Sequence, residues 1–332
     1  MEIQTLFILT AAFFGFINLS KFLLKILVSL WAAFIRPEKD LRSYGSWVAI
    51  TGSTDGIGRA LAFEIAARGL NLVLIGRNPS KLEATSREIR RKHGGIEVKT
   101  VAIDFAAGCR SGEEIARAVE REIKGLDLGI LINNAGLAYP YARFMHEVDD
   151  GLMESVVGVN AAALTWLTRA AVAGMLERRR GAIVNVGSGS SACLPSYPLY
   201  TVYAATKAYV TMLSKSMSLE YKQHGIDVQC QIPLLVATKM SSIKKSSLFI
   251  PSAETYSKAS LRWIGQNEPI CLPYWPHALQ AFIISLLPHQ FLDTLLFRYF
   301  VGMRARGRSK DAKTGHLVDK SSSFKLDSAK LN

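Results

Sequence analysis

Trp47-Val48-Ala49-Ile50-Thr51-Gly52-Ser53-Thr54-Asp55-Gly56-Ile57-Gly58 is the stretch on which the fold turns. Its first four residues are apolar and read as a strand buried on both faces. Three glycines follow, and residues 60–67 carry apolar side chains at helical spacing. Residues 70–75 form a second apolar run. Strand, glycine turn, helix and strand make a βαβ unit. Glycines at such a turn let the backbone bend tightly and approach a pyrophosphate, which the positive end of the helix attracts. Gly52, Ser53, Gly56, Ile57 and Gly58 are therefore the candidate phosphate-binding residues.

The alternation continues outward. Residues 81–92 read as a helix and 96–103 as a strand ending at Asp104, whose carboxylate is expected to accept from an adenine amino group. A helix at 112–124 and a strand at 128–132 lead to Asn133-Asn134-Ala135-Gly136. Residues 151–178 read as one long helix with Asn160 inside it. A strand at 182–186 runs into Gly187-Ser188-Gly189-Ser190-Ser191, and 226–232 is a sixth strand ending at Pro233. Six strands separated by helices predict an α/β fold, a Rossmann-type doubly wound parallel sheet with helices on both faces. Ligands bind such sheets beyond the carboxyl ends of the strands. Gly52, Asp104, Asn133, Ser188 and Ser190 all follow strand ends.

The second strand closes on Gly76-Arg77-Asn78. No acid stands between residues 70 and 78 to take a ribose hydroxyl, whereas Arg77, with Arg59 as a helper, suits a 2′-phosphate. The expected cofactor is NADPH/NADP+ rather than NADH.

Tyr203 and Lys207 are four apart on a predicted helix, hence on one face. An ammonium beside a phenol favours the phenolate and is expected to lower the tyrosine pKa. Such a phenol can hand a proton to a carbonyl oxygen. The spacing alone is common; the glycine turn, Asn160 and the serine loop give it meaning.

The 332 residues carry a net charge of +13, and their mean hydropathy is positive. Cys109, Cys193, Cys230 and Cys271 are far apart, which argues against a zinc site or a disulfide framework and for a reducing environment. No metal is expected. Residues 1–36 are dominated by apolar side chains and read as a membrane anchor; Arg36, Lys39 and Arg42 follow it, which places the rest of the chain in the cytosol. Residues 46–240 form the catalytic domain, and 241–302 a lid over the substrate with an apolar extension. Within 303–332 eight basic residues face three acids, and this tail is expected to be disordered. A single aromatic residue, Phe324, is interleaved with those charges, too few for a stacking platform, so nucleic acid is not an expected partner.

Together, Thr-Gly-x-x-x-Gly-x-Gly at 51–58, Asn-Asn-Ala-Gly at 133–136, Asn160, the serine-bearing strand end and Tyr-x-x-x-Lys at 203–207 resemble the short-chain dehydrogenase/reductase family. The resemblance implies that Tyr203 is the general acid and that Lys207 holds the nicotinamide ribose. It further implies that a serine binds the substrate carbonyl, that Asn160 orders a water, and that Val236 and Thr238 contact the nicotinamide amide. Counting back 13 residues from Tyr203 selects Ser190; counting forward from the strand selects Ser188. The reading favours Ser190 and keeps Ser188 open.

Gly187–Ser190, Pro195–Pro198, Val236–Met240, Pro273–His277 and the apolar N-terminus resemble one membrane-bound branch, the very-long-chain 3-ketoacyl-CoA reductases, most of all their plant form. That branch implies reduction of a long-chain acyl-CoA ketone at the endoplasmic reticulum membrane, beside other elongase subunits and with a homodimer as a further expectation. The sister branch of 17β-hydroxysteroid dehydrogenases stays open as the alternative. A non-catalytic scaffold is disfavoured by the intact Asn160, Tyr203 and Lys207.

Overall fold

The computed structural model describes residues 2–106, 112–266 and 268–313. The chain opens with α1 (Glu2–Leu30), which runs into a π-turn at Trp31–Ile35. Residues Ile3–Lys21 are long and apolar enough to cross a membrane, and none of that window is buried. The segment after the π-turn is tied to the body: the Arg36 guanidinium lies 4.4 Å from the Trp263 ring centroid, and Lys39 pairs with Asp227 at 2.9 Å.

Then the alternation begins: β1 (Trp47–Thr51), α2 (Gly56–Ala66), β2 (Asn71–Gly76), α3 (Pro79–Lys92) and β3 (Val98–Ala102). Next come α4 (Gly112–Ile123), β4 (Leu128–Asn133), α5 (Asp150–Val157), a π-turn at Gly158–Ala163 and α6 (Leu164–Arg178). β5 (Gly181–Val186), the single turn α7 (Gly189–Ala192), α8 (Thr201–Tyr221) and β6 (Ile226–Gln231) follow. The chain closes with α9 (Ala253–Trp263), β7 (Ile270–Cys271), α10 (Trp275–Ser285) and α11 (His289–Lys313).

All seven strands are parallel, in the order β3-β2-β1-β4-β5-β6-β7. The order reverses beside β1, and β1 and β4 flank the crevice where such sheets take ligands. Every residue of β1, β4 and β5 is buried because helices cover both faces. On one face Leu61 and Ile65 of α2, Leu82 and Ile89 of α3 and Leu261 of α9 form a core with Val48, Ile50 and Leu72. On the other, Ile115 of α4, Leu167, Ala171 and Met175 of α6 and Met217 of α8 pack on Ala49, Leu131 and Ile183. Helix starts are set by side chains that take otherwise unpartnered backbone N–H groups: Asn78 accepts from Lys81, Asp149 from Leu152 and Ser252 from Thr255.

Four expectations change. A seventh strand, β7, extends the sheet within the segment read as lid and extension. It is two residues long, and its neighbours Pro269 and Pro273 hide it from any periodicity. The expected single helix over 151–178 is broken by the π-turn that contains Asn160. Residues 253–258, read as part of a polar lid, begin α9 and pack against α2. The stretch from 303, expected to be disordered, is helical as far as Lys313, because Arg304 and Arg308 pair with Glu147. Residues 314–332 and Cys109 lie outside the described residues.

Candidate active site

Gly52 sits at φ +64°, a conformation that glycine adopts without strain. A side chain at Gly58 would come within 2.3 Å of the Gly52 carbonyl and of Asn134 Nδ2. The turn is therefore drawn against the helix that follows, leaving room for no side chain. Thr51 locks it from behind: its Oγ1 accepts from the Asn134 and Ala135 backbone N–H groups, both at 2.9 Å, and Asn134 Nδ2 donates to Thr51 O at 3.0 Å. Asn134 escaped the sequence reading, although it stands next to the residue chosen.

Asn133 itself is turned elsewhere. Its Nδ2 donates to Thr168 Oγ1 and Asn185 Oδ1, both at 2.8 Å, and Asn185 Nδ2 donates to Ser214 Oγ at 2.9 Å. This chain stitches β4 and β5 to α6 and α8, so the Asn133 side chain is a sheet brace and not the expected cofactor contact. Ser53 is likewise buried, its hydroxyl directed at Ile75 O at 3.3 Å. Ile57 packs on the core beneath the turn. Asp104 is exposed at the end of β3 and accepts from Ala106 N at 3.0 Å. Arg77 is exposed and makes no ion pair among the described residues; Arg59, the expected helper, is held by Glu88 at 2.5 Å.

The loop after β6 closes over the glycine turn. A side chain at Gly56 would touch Thr238 Cγ2 at 3.3 Å, and Val236 is buried behind it. Asp55 sits between two cations, Lys239 at 2.7 Å and Lys81 at 2.9 Å. Those hydrogen bonds, Lys239 first, hold its carboxylate below the usual range. The Pro233-Leu234-Leu235 departure is braced by His277 of α10: the Leu234 N–H donates to Nδ1, and Nε2 faces Leu235 O, each at 3.2 Å. Burial pulls this imidazole down to about 4, so the ring is neutral, accepting at one nitrogen and donating at the other.

Tyr203 and Lys207 share a face of α8. Lys207 is buried, its Nζ 6.0 Å from the Tyr203 ring centroid and donating to Val186 O at 2.9 Å. Burial draws the ammonium down to about 8. Burial also pushes the Tyr203 phenol up, opposed by a hydrogen bond with Ser188. The lowering expected from the lysine is not what the site shows: desolvation sets the direction, and the opposing contribution comes from Ser188.

Ser188 is the serine beside the tyrosine, against the preference for Ser190. Ser190 is buried behind it, donating from both its backbone N–H (3.2 Å) and its hydroxyl (2.9 Å) to Ser188 Oγ. With Ser188 Oγ accepting twice, its own proton is free to point at Tyr203 or at a carbonyl oxygen placed there. The residue reached by counting forward from the strand is the one beside the phenol, because β5 ends at Val186 and fixes the loop from that side.

Asn160 is buried with its amide fully engaged: Oδ1 accepts from Leu137 N at 2.7 Å, and Nδ2 donates to Leu137 O and Thr206 Oγ1. A side chain at Gly136 would meet both Asn160 Oδ1 and Lys207 Nζ at 3.6 Å. Leu137, Tyr139, Leu152, Met153 and Tyr200 make an apolar wall beside Tyr203. Leu199, just before this helix, holds φ at +61° with its carbonyl taking the Arg143 N–H.

The sequence profile of the short chain dehydrogenases matches residues 46–247. A very-long-chain 3-oxoacyl-CoA reductase-like protein of Arabidopsis thaliana is 46% identical over 93% of this chain and 98% of its own length. The rat very-long-chain 3-oxoacyl-CoA reductase is 36% identical over 85% of this chain and 86% of its own. Among solved structures, a short-chain dehydrogenase from Sphingobium yanoikuyae in complex with NADPH superposes with a TM-score of 0.60 at 26% identity, covering 84% of this chain and 98% of that one. A 7beta-hydroxysteroid dehydrogenase shares the fold with a TM-score of 0.68 at 24% identity, over 78% of this chain and 99% of that one. With this sheet, this glycine turn and this tyrosine–lysine pair, the chain belongs to the short-chain dehydrogenases.

Proposed function

We infer that the protein reduces the ketone of a very-long-chain 3-ketoacyl-CoA with NADPH, giving the 3-hydroxyacyl-CoA of fatty acid elongation. The observation that carries this is the Tyr203–Ser188 hydrogen bond beside buried Lys207, in a chain whose relatives are named for that reduction. The tight glycine turn fits a dinucleotide. The backbone at Gly52, Ser53, Gly56, Ile57 and Gly58 would hold the pyrophosphate, Asp104 the adenine, Arg77 the 2′-phosphate, and Val236 and Thr238 the nicotinamide amide. When bound, NADPH supplies hydride to the carbonyl carbon.

The chain's own residues handle the oxygen. Ser188 donates a hydrogen bond to the carbonyl oxygen, which raises the positive character of the carbon. Tyr203 donates its proton to the same oxygen, and a phenol that burial keeps protonated at neutral pH suits that task. Lys207, close to neutrality in its own titration, stands behind the phenol as the group from which the proton is replaced. Because the Asn160 amide is committed to Leu137 and Thr206, ordering a water falls to its main-chain carbonyl. The apolar wall accommodates the first carbons of the acyl chain.

Anchoring belongs to α1, whose apolar window has no buried residue. The second window of that kind, Asp150–Arg178, is 56% buried against the sheet and serves the core. The reading extends to the endoplasmic reticulum membrane, a cytosol-facing catalytic domain, neighbouring elongase subunits and a homodimer.

The test is competition between a long-chain 3-ketoacyl-CoA and a 17-ketosteroid for NADPH oxidation by the full chain in liposomes. Preferential turnover of the thioester is expected. A large advantage for the steroid overturns the substrate, and NADPH binding with neither ketone reduced points to a scaffold. Faster turnover with NADH than with NADPH overturns the role given to Arg77.

A further inference from the structure

The last two helices leave an apolar surface that the catalytic reading does not use. α10 and α11 meet at 116° across the break before His289. Leu279 and Ile283 on α10 and Leu286 at its C-terminal cap follow one another at helical spacing, and Phe291, Leu295 and Tyr299 do so along α11; all six are exposed. The opposite side of α11 is spoken for: Leu292 and Phe300 are buried, and Phe300 packs with Leu199 and Tyr197 in the loop leading to Tyr203. α10 in turn supplies His277 to the loop after β6. Both helices therefore grip the rim of the site with one face and offer hydrocarbon with the other. Isolated exposed leucines are ordinary on protein surfaces, but a continuous patch over two helices marks a contact.

We propose that the α10–α11 elbow docks in the interfacial layer of a lipid bilayer, holding the rim of the active site at the membrane surface. The proposal rests on the reading of α1 as the anchor. Two observations select lipid as the occupant. The Phe34 ring, just after α1, lies 6.1 Å from the ring of Trp275 at the start of α10, so the patch begins where the anchor ends. Arg298, next to Tyr299 at the end of the patch, and Arg306, two turns further on, are exposed on α11, a distribution that suits anionic headgroups above buried hydrocarbon. The elbow does not cross the membrane. α10 has 11 residues, about half the length a span needs, and the inner face of α11 is held by the catalytic body. An acyl chain lying in the same leaflet then meets the site from the side, without leaving lipid for water.

The test places an environment-sensitive fluorescent amino acid at Leu287 or Phe291 in the full chain, reconstituted in phosphatidylcholine–phosphatidylserine liposomes at low protein content. Phe14 in α1 and Lys244 in the loop before α9 are the reference positions. Spin-labelled lipid is expected to quench the probe at Leu287 and Phe291, while aqueous iodide does not. Introducing Leu286→Asp together with Leu295→Asp should abolish that lipid quenching while NADPH binding persists, which shows that the body is folded. Quenching like that at Lys244, with Phe14 still quenched by lipid, overturns the elbow and leaves the anchor standing. Shielding from both quenchers shows a second copy covering the patch, which also overturns the proposal. If even Phe14 is quenched by iodide and not by lipid, the anchor reading falls, and this proposal with it.

Discussion

At the scale of single residues, the serine loop is the sharpest case. Ser188 touches Tyr203, and Ser190 touches Ser188. Removing an oxyanion-type donor costs about 10²–10³ in kcat, so Ser188→Ala is expected to fall by that amount in steady-state NADPH oxidation. Ser190→Ala removes one neutral hydrogen bond behind it, worth about 1 kcal/mol, and is expected to lose about fivefold. Comparable losses for the two would show that Ser190 also meets the substrate. His277 supplies a pH signature. Its imidazole titrates near 4 in the folded protein against about 6.5 unfolded, because burial disfavours the cation. Between those values the unfolded chain binds a proton that the folded one refuses, so stability is present above pH 6.5 and is lost as pH falls through the window. The loss is about 1.4 kcal/mol per pH unit, or about 2–3 kcal/mol by pH 4. Denaturant midpoints should show this slope, and His277→Gln should flatten it.

At the scale of elements, legibility followed length and periodicity. β1 to β6 are legible to within a residue or two: β1, β2, β4 and β5 are mainly apolar runs between a helix and a polar turn, while β3 and β6 mix polar residues with β-branched ones in the same helix–strand alternation. The π-turn is not, since Gly158–Ala163 differs from an ordinary helix only in its hydrogen-bond ladder, which leaves the apolar pattern intact. Which way an asparagine points was equally hidden: Asn133 and Asn134 are chemically alike, and only the strand's alternation sends the first into the core and the second to the turn. The direction of the phenol's titration is hidden too, because spacing shows the lysine but not the burial of both groups. The asparagine stitch has a measurable worth. Asn185→Ala removes two buried hydrogen bonds, one from Asn133 Nδ2, which keeps Thr168, and one to Ser214 Oγ, which keeps Val210 O, and each such bond is worth about 0.5–1.5 kcal/mol. A drop of that order in unfolding free energy is expected, with the KM for NADPH changed little.

At the scale of the whole molecule, α10 and α11 reach the rim of the site from outside the sheet, through His277 and Phe300. α11 is joined to the Met145–Glu147 turn by Arg304, whose guanidinium takes both Glu147 carboxylate oxygens. Arg304→Ala leaves that half-buried carboxylate without its main partner and is expected to loosen α11, read as faster proteolysis within 289–313 and a higher KM for long-chain substrate. Unchanged cleavage would mean that the aromatic packing around Phe300 holds the helix alone. The anchor makes a separate prediction: alkaline carbonate should leave the full chain in the membrane pellet, and release into the supernatant would contradict a span at Ile3–Lys21. How this outer frame sits against the sheet was the least legible part, because ion pairs such as Arg304–Glu147 join residues far apart in the chain without any local pattern.

The π-turn carries a consequence for how such a site can arise. A π-turn holds one residue more than the α-helical turn it replaces, and each helical residue advances the face by about 100°. Deleting Ala161 should restore a regular ladder from α5 into α6 and swing the preceding turn, with Asn160, away from Leu137 and Thr206. One codon therefore separates a helix that only packs from one that also ties Asn160 to Leu137 and Thr206, and an insertion is enough to cross that gap.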